Sequence, residues 1–406
     1  MKRYCKDIKL NKEFIKKSIY DCLQRKWKRR DTAEFLNNYA KTPIPNLREK
    51  LKKDKSIAYP IIDRIAEAME NEIKERNVHF PPISYFERYD ESSEKIREIG
   101  KESIKQQIYD YVAINGLMEL FNRKIGKHQC ASIPSRGQVY GKKAIERFVR
   151  KKPQKSRYAA KGDVRHCYQS VDREKLMNLL RKQVKNDDLL YLVETLIYFY
   201  EQGLCVGSPL SQWLCNYYLS FAYRYIEHSL YKIRKKKDGT KERIRLIKMQ
   251  WFYMDDILLV GSSKADVKTG MKKLVAFCKE TLGLIIKPNW SLFKIDYIDK
   301  NKKHHGNCIN MMGYRIYRSH TVIRRKIFIK TRRNYTKIRR FARRKHPAPL
   351  WLAQRCVSYY GWIKNSNLIK FSNKIKSKEM FRIATRRVSD ESKIYRSAAK
   401  SAMAAA

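Results

Sequence analysis

Apolar residues recur at spacings of three and four through 11-NKEFIKKSIYDCLQRKWKRRD-31, at Phe14, Ile15, Ile19, Cys22 and Leu23, which predicts an amphipathic helix within a charged N-terminal region. Pro81-Pro82 ends that region. Beyond it, 94-EKIREIG-100 reads as a short strand, and Ile104, Ile108, Tyr111 and Val112 then share one helical face. In 133-IPSRGQVYGKKAIERFVRK-151 a basic, glycine-bearing loop leads into a helix, an arrangement suited to phosphate. A strand is predicted at the start of 158-YAAKGDVRHCYQSVD-172, with helical sequence following to about Tyr200. After 203-GLCVGSPLSQWLCNYYLS-220 a second helix is expected to run on to the turn signal Asp238-Gly239. The run 252-FYMDDILLVGSSK-264 reads as a β-hairpin, and Lys264 to Leu282 as a helix that stops before Pro288.

The hairpin poses a chemical question, because Asp255 and Asp256 stand side by side in an apolar run. Adjacent carboxylates repel, and burying them unpartnered is costly, so they call for cations. Mg²⁺ suits them, being hard, partial to carboxylate oxygens and able to keep positions open for substrate phosphates. Two such ions, about 3.5–4 Å apart, would hold an attacking and a leaving oxygen in line, but they need a further acid from elsewhere in the chain. Asp163 is the candidate, since it follows the strand-like YAAKG just as Asp255 and Asp256 follow WFYM. Taken alone, a pair of aspartates is common in surface turns.

Composition narrows the partners. The chain has 406 residues, 43% of them hydrophobic, enough for two or three cooperating subdomains. Its formal charge of +51, from 91 Lys and Arg against 40 Asp and Glu, points to nucleic acid, bound in a salt-dependent way. Between Lys300 and Lys378 there is no acid, while cations crowd 324-RRKIFIKTRRNYTKIRRFARRKH-346 and aromatics such as 359-YYGW-362 and Phe371 interleave. That mixture predicts a surface that tracks a phosphate backbone and stacks on bases or sugars, although a charge run is more commonly a solvated face. No apolar run approaches 18 residues, so no membrane partner is expected, and MKRYCKDIKL lacks a signal peptide's apolar segment, so a cytoplasmic location is expected. The nine cysteines form no CxxC pair and are expected as reduced thiols; His304, His305 and Cys308 lack a second half for a metal site.

The run 253-YMDD-256 resembles the YxDD box of reverse transcriptases. In the family's order, 163-DVRHCYQSVD-172 resembles its first catalytic box, 203-GLCVGSPLSQWLCN-216 its template-and-nucleotide box, 282-LGLIIKP-288 its lysine-bearing box and 311-MMGYRIY-317 its primer-grip hairpin. The resemblance implies an α+β right-hand polymerase fold: fingers, a palm of antiparallel sheet packed on helices, and a helical thumb. Expected boundaries are 1–82 for an N-terminal helical basic region, 83–317 for fingers and palm, 318–390 for a basic thumb and 391–406 for a disordered tail. The implied activity is RNA-directed DNA synthesis from dNTPs on a template RNA, giving a cDNA/RNA duplex, with two Mg²⁺ ions (Mn²⁺ a substitute) on Asp163, Val164, Asp255 and Asp256. By the same resemblance Lys287 assists catalysis, Tyr168 is a steric gate against the ribose 2′-hydroxyl, and Arg136, Arg97, Val206, Gly207 and Gln212 line the nucleotide site. Tyr253, Met254, Gly313, Tyr314, Arg332, Arg333, Arg339 and Arg340 are expected against primer or template.

Many reverse transcriptases carry QGxxxSP where this chain reads 206-VGSPLSQ-212. That substitution resembles the enzymes of diversity-generating retroelements, which copy a template RNA with errors at adenines and use an accessory protein. Some reverse transcriptases of antiphage defence, which use a noncoding RNA and an effector, share it. A non-enzymatic RNA-binding scaffold of polymerase shape is the third reading, and the three intact acids speak against it.

Overall fold

The computed structural model describes residues 3–90 and 95–404, with backbone alone at 90, 95 and 392–404. Two compact units emerge: Met1–Arg136 with Ala160–Leu259 and Ala265–Ser291, and Gly137–Ala159 with Val260–Lys264 and Leu292–Ala406. These do not follow the expected boundaries. The N-terminal helices belong to the first unit because their apolar stripes are buried within it. Lys12–Leu23 buries Ile15, Ile19, Cys22 and Leu23, Tyr59–Lys74 buries Ile61, Ile62, Ile65 and Met69, and both pack with Ile104–Gly116 or its neighbours. Glu72 fixes the junction by accepting from Lys105 Nζ (2.8 Å) and Tyr109 Oη (2.6 Å).

Within the first unit, the sheet runs in the order Gln129–Cys130, Met249–Tyr253, Asp256–Gly261, Tyr158–Asp163. The short strand Gln129–Cys130 pairs parallel with Phe252 and Tyr253, a departure from the purely antiparallel palm sheet expected. Helices Pro209–His228 and Lys264–Leu282 follow from the pattern as predicted, the second with the same bounds. The first stops ten residues short of the expected turn. In place of a longer helix, Tyr231–Lys235 and Lys241–Arg245 form an isolated antiparallel ribbon around Asp238-Gly239. Alternation in YKIRK and KERIR carries that ribbon, and the density of lysine and arginine hides it from a search for apolar periodicity.

In the second unit, helices Arg325–Arg343, Leu350–Lys364 and Ser377–Ala404 close on a core of Tyr335, Ile338, Leu352, Ala353, Cys356, Met380 and Ala384. A three-stranded sheet, Ile309–Met311, Tyr314–Ile316 and Thr321–Ile323, precedes them. The tight turn between its first two strands has positive φ at Met312 (53°) and Gly313 (81°), as a two-residue hairpin requires. The backbone is helical through most of the segment 391–406 expected to be disordered, as far as Ala404; residues 405 and 406 lie outside the described residues. Among the described residues no helix is long and apolar enough to cross a membrane.

Candidate active site

The palm hairpin turns at Met254-Asp255, with Met254 in the left-handed region at φ 51°. A non-glycine residue there stores strain, and the neighbourhood holds it in place. Met254 is buried, and its sulfur accepts from Asn216 Nδ2 (3.2 Å), which also reaches the carbonyls of Ala131 (3.3 Å) and Gln212 (3.0 Å). Asn216, at the end of the template box, thus ties its helix to the catalytic turn, a function that residue type alone does not announce.

Backbone bonds bring Asp163 to that turn. Val164 N donates to Asp255 O (2.9 Å), while Lys287 N donates to Asp163 O (2.9 Å) and Arg165 N to Ile285 O (2.8 Å). The strand end bearing Asp163 is therefore held between the hairpin and the lysine-bearing segment. Glycine at 162 permits the approach: a Cβ there would lie 2.4 Å from Met271 Cε.

The three acids meet different partners. Asp163 is paired with Lys287, and Asp256 with Lys161 at 2.8 Å. Among the described residues no lysine or arginine pairs with Asp255, whose pKa is pushed up to about 6, first by burial and then by the charges of Asp163 and Asp256. Among the described residues no group of three or more His, Cys, Asp and Glu side chains is gathered as a metal site, because the lysines draw Asp163 and Asp256 onto themselves. The donor set nevertheless fits a hard divalent cation: a half-buried carboxylate that lacks a countercharge, next to a second acid and the Val164 backbone, with ammonium groups standing where a metal charge would otherwise serve. Lys161 was not foreseen, although it lies two residues before Asp163 and so on the same strand face. His305 is bound to Asp299 (2.8 Å) and Cys308 to Arg315 (3.3 Å), so the His304, His305, Cys308 group gathers no metal site.

The loop 203–208 is placed by main chain against main chain. Gly203 (φ 52°) sits where a Cβ would lie 2.4 Å from Gln169 O, and Leu204 N donates to Tyr168 O (2.9 Å). Gly207 (φ 127°) faces Gly100 O, 2.4 Å from where a Cβ would be, and Gly100 N donates to Val206 O (2.9 Å). Val206 and Gln212 are half-buried and Gly207 exposed. Burial raises the Tyr168 phenol, and the Asp255 charge adds to that; Arg97, on the adjoining hairpin, pulls the other way. Tyr168, Asp255 and Arg97 therefore lie within electrostatic reach of one another. Next to Tyr168, the thiols of Cys167 and Cys215 lie 3.5 Å apart, both buried and reduced, and all nine cysteines are free.

A buried acid pair that the sequence does not reveal anchors this loop. Asp110 Oδ2 accepts from Ser208 Oγ (2.6 Å) and from Leu210 N (3.0 Å), at the start of the helix Pro209–His228. Tyr200 Oη bonds both Ser208 Oγ (3.0 Å) and Glu102 Oε1 (3.2 Å). Burial, then the Asp110 charge, pushes Glu102 up to about 9. Asp110 is raised too, by burial, while Ser208, the Leu210 N–H and Glu102 oppose the shift. The other oxygens, Glu102 Oε2 and Asp110 Oδ1, lack any other partner, so a proton held on Glu102 and shared with Asp110 satisfies both.

Other predicted residues lie elsewhere. Arg136 Nη1 donates to Gly126 O (3.1 Å) and its backbone closes the loop at Ala131, which makes it a clasp for residues 126–136. In the second unit Gly313 and Tyr314 are buried, and the Tyr314 ring packs 5.0 Å from Trp362. Tyr253 is half-buried on the hairpin. Arg332, Arg333 and Arg340 are exposed opposite the buried stripe Thr331, Asn334, Tyr335 and Ile338, while Arg339 is half-buried and donates to Lys374 O (2.6 Å).

A model of the reverse transcriptase (RNA-dependent DNA polymerase) family matches residues 57–316. Among solved structures, apo telomerase from Candida tropicalis, truncated from the C-terminal domain, is 11% identical, with 68% of this chain and 66% of that one covered and a TM-score of 0.37. Telomerase from Candida albicans in complex with a fragment of telomeric RNA is 10% identical, with 77% and 64% covered and a TM-score of 0.41. The chain thus spans less than two thirds of each telomerase chain, and at these scores the likeness adds nothing to the family match. No curated protein matches the chain. With the family match covering well over half its length, the chain belongs to the reverse transcriptase (RNA-dependent DNA polymerase) family.

Proposed function

We propose that the chain copies a structured template RNA into cDNA at the Asp163, Asp255 and Asp256 site, as the polymerase of a diversity-generating retroelement. The observation that carries the site is the backbone-locked approach of Asp163 to the hairpin turn, with Asp255 left without a countercharge. Asp163, Asp255, Asp256 and the Val164 carbonyl would hold Mg²⁺, or Mn²⁺ in its place, which supplies charge neutralisation and in-line alignment of the reacting oxygens. Lys287, released from Asp163, would serve the leaving pyrophosphate, and Lys161 orients Asp256. The Tyr168 ring would occupy the space beside the sugar C2′ and so favour dNTPs. Arg97, within electrostatic reach of Tyr168, would contact the triphosphate.

The retroelement reading rests on Val206 and Gln212. Valine offers only dispersion contacts where glutamine would donate a hydrogen bond, and one such bond of about 0.5–1.5 kcal/mol is enough to change selection several-fold. In the defence alternative the same box serves a noncoding RNA, and error is incidental. The test is primer extension on a defined RNA template with deep sequencing of the product. Asp255→Asn should nearly abolish extension while leaving the fold intact; an unimpaired variant removes the site assignment. Errors concentrated opposite template adenines, and reduced there by Val206→Gln, support the retroelement; uniformly low error favours defence.

A further inference from the structure

The ribbon Tyr231–Lys235 and Lys241–Arg245 has two unlike faces. Its register pairs Tyr231 with Arg245, Ile233 with Arg243 and Lys235 with Lys241, so these six side chains share one face. All six are exposed, four are cations and none is an acid. The other face carries Lys232, Arg234, Glu242 and Ile244; there Arg234 pairs with Glu242 (2.7 Å) and Lys232 with Asp266 (2.8 Å), and Glu242 and Ile244 are partly covered. Glu242 and Asp266 are thus spent on one face, and Asp238 in the turn accepts from Thr240 N (2.9 Å) and Oγ1 (2.6 Å), so among the described residues none of the three is ion-paired with the four cations of the opposite face. Lys235 directly opposite Lys241 is a repulsive pair, which a free-standing two-stranded ribbon can ill sustain without a counter-anion. The same face offers a flat contact: the Arg243 guanidinium lies 3.3 Å over the Tyr231 ring and donates to His228 O (2.8 Å), which fixes the aromatic-cation platform to the helix end.

The ribbon is far from the chemistry. It hangs from the C-terminal end of the helix Pro209–His228, whose N-terminal end carries the nucleotide loop, and a helix of 20 residues spans about 30 Å. Going the other way, bends at Leu246 and Lys248 and the strand Met249–Tyr253, about 15 Å long, separate it from the turn at Met254-Asp255. No primer terminus at Asp255 can therefore lie on this face.

We infer that the face of Tyr231, Ile233, Lys235, Lys241, Arg243 and Arg245 is a second RNA-docking surface, which holds the phosphate backbone of a folded part of the template RNA outside the primer–template duplex. It rests on the reading that the template is a structured RNA. The choice of RNA over an acidic protein follows from cations at alternate positions on the second strand, Lys241, Arg243 and Arg245, with Lys235 across from Lys241 and an exposed ring at Tyr231.

The test uses the full chain, a long RNA hairpin and a short RNA template annealed to a DNA primer. In Lys235→Gln/Lys241→Gln/Arg245→Gln, three lost phosphate contacts should lower the salt slope for hairpin binding by about 2.7, on the order of a hundredfold loss at 0.15 M salt. Extension of the short primer–template should stay unchanged, which also reports that the variant is folded. Lys232→Gln/Arg234→Gln, on the opposite face, should leave hairpin binding nearly intact, and Lys235→Arg/Lys241→Arg should retain it. Unchanged hairpin affinity in the triple variant overturns the inference, as does an equal loss from either face. Hairpin binding that persists while an acidic protein is lost from the triple variant assigns the face to a protein instead. A parent chain that binds the hairpin face-selectively but extends no primer refutes the polymerase reading and leaves the docking surface standing.

Discussion

Replacing Asp110 by alanine should uncouple the nucleotide loop from the palm, and the structure sets the size of the effect. Asp110 Oδ2 is the acceptor for Ser208 Oγ and Leu210 N, both buried. Leaving each donor unpaired costs about 1–3 kcal/mol, so Asp110→Ala should destabilise the first unit by about 3–5 kcal/mol, against about 1–2 for Asp110→Asn, which keeps an acceptor oxygen. That is a large part of a typical stability of about 5–15 kcal/mol. Because Ser208 and the helix start hold the loop against Gly100 and Tyr168, the alanine variant should also raise the KM for dNTPs. The shared proton adds a pH signature. Glu102 is pushed up to about 9, so the folded chain keeps a proton that the unfolded chain releases in the ordinary carboxylate range, and this contribution to stability falls as pH rises between the two. Glu102→Gln imitates the protonated acid at every pH. Urea unfolding at pH 5 and pH 8 should therefore show the variant gaining on the parent at the higher pH. A difference independent of pH, or an Asp110→Ala cost under about 1 kcal/mol, would refute the shared-proton account.

Tyr168→Ala should admit ribonucleotides by opening space beside the sugar; unchanged dNTP over rNTP selection in single-nucleotide extension removes the gate. Gly207→Ala forces a Cβ within 2.4 Å of Gly100 O at a φ of 127° that only glycine adopts readily, at a cost of about 1–3 kcal/mol plus the Val206–Gly100 bond. Gly137→Ala, with open space around it, should be near neutral in the same unfolding assay. Charge reversal at Arg332, Arg333 and Arg340 should flatten the salt dependence of RNA binding, read by filter binding across salt, whereas Arg339, tied to Lys374 O, should contribute less.

What the sequence made legible is what short range dictates. The hairpin around 253-YMDD-256, the strand before Asp163, the helix Lys264–Leu282 and the two-residue turn at Met312-Gly313 follow from local pattern and turn chemistry. Partnerships across the chain were not legible. Asp110 reads as one polar residue in a helix until Ser208, 98 positions on, is seen to need it. Nothing near Tyr314 in sequence announces that its ring packs against Trp362, 48 positions on. The ribbon escaped because strand alternation between cations and a few apolar residues has no apolar face to bury. The N-terminal helices looked separable because their surfaces are charged, while the buried Ile61, Ile62, Ile65 and Met69 stripe commits them to the first unit.

These observations bear on how the nucleotide pocket varies. Gly100, Gly203 and Gly207 let three backbones touch, so the position of residues 203–208 is set by main-chain contacts and by the bonds of Ser208 and Leu210 to Asp110, and not by the side chain at 206. A residue carried on such a support can change without moving its neighbours. Val206 is that residue: its carbonyl is fixed to Gly100 N while its half-buried side chain makes no polar bond among the described residues. Glutamine at 206 should therefore be accommodated with little loss of stability and a measurable change in selection. Changes at the glycines, or at Asp110, should lower stability and activity together. The two classes of variant separate what positions the pocket from what chooses the nucleotide.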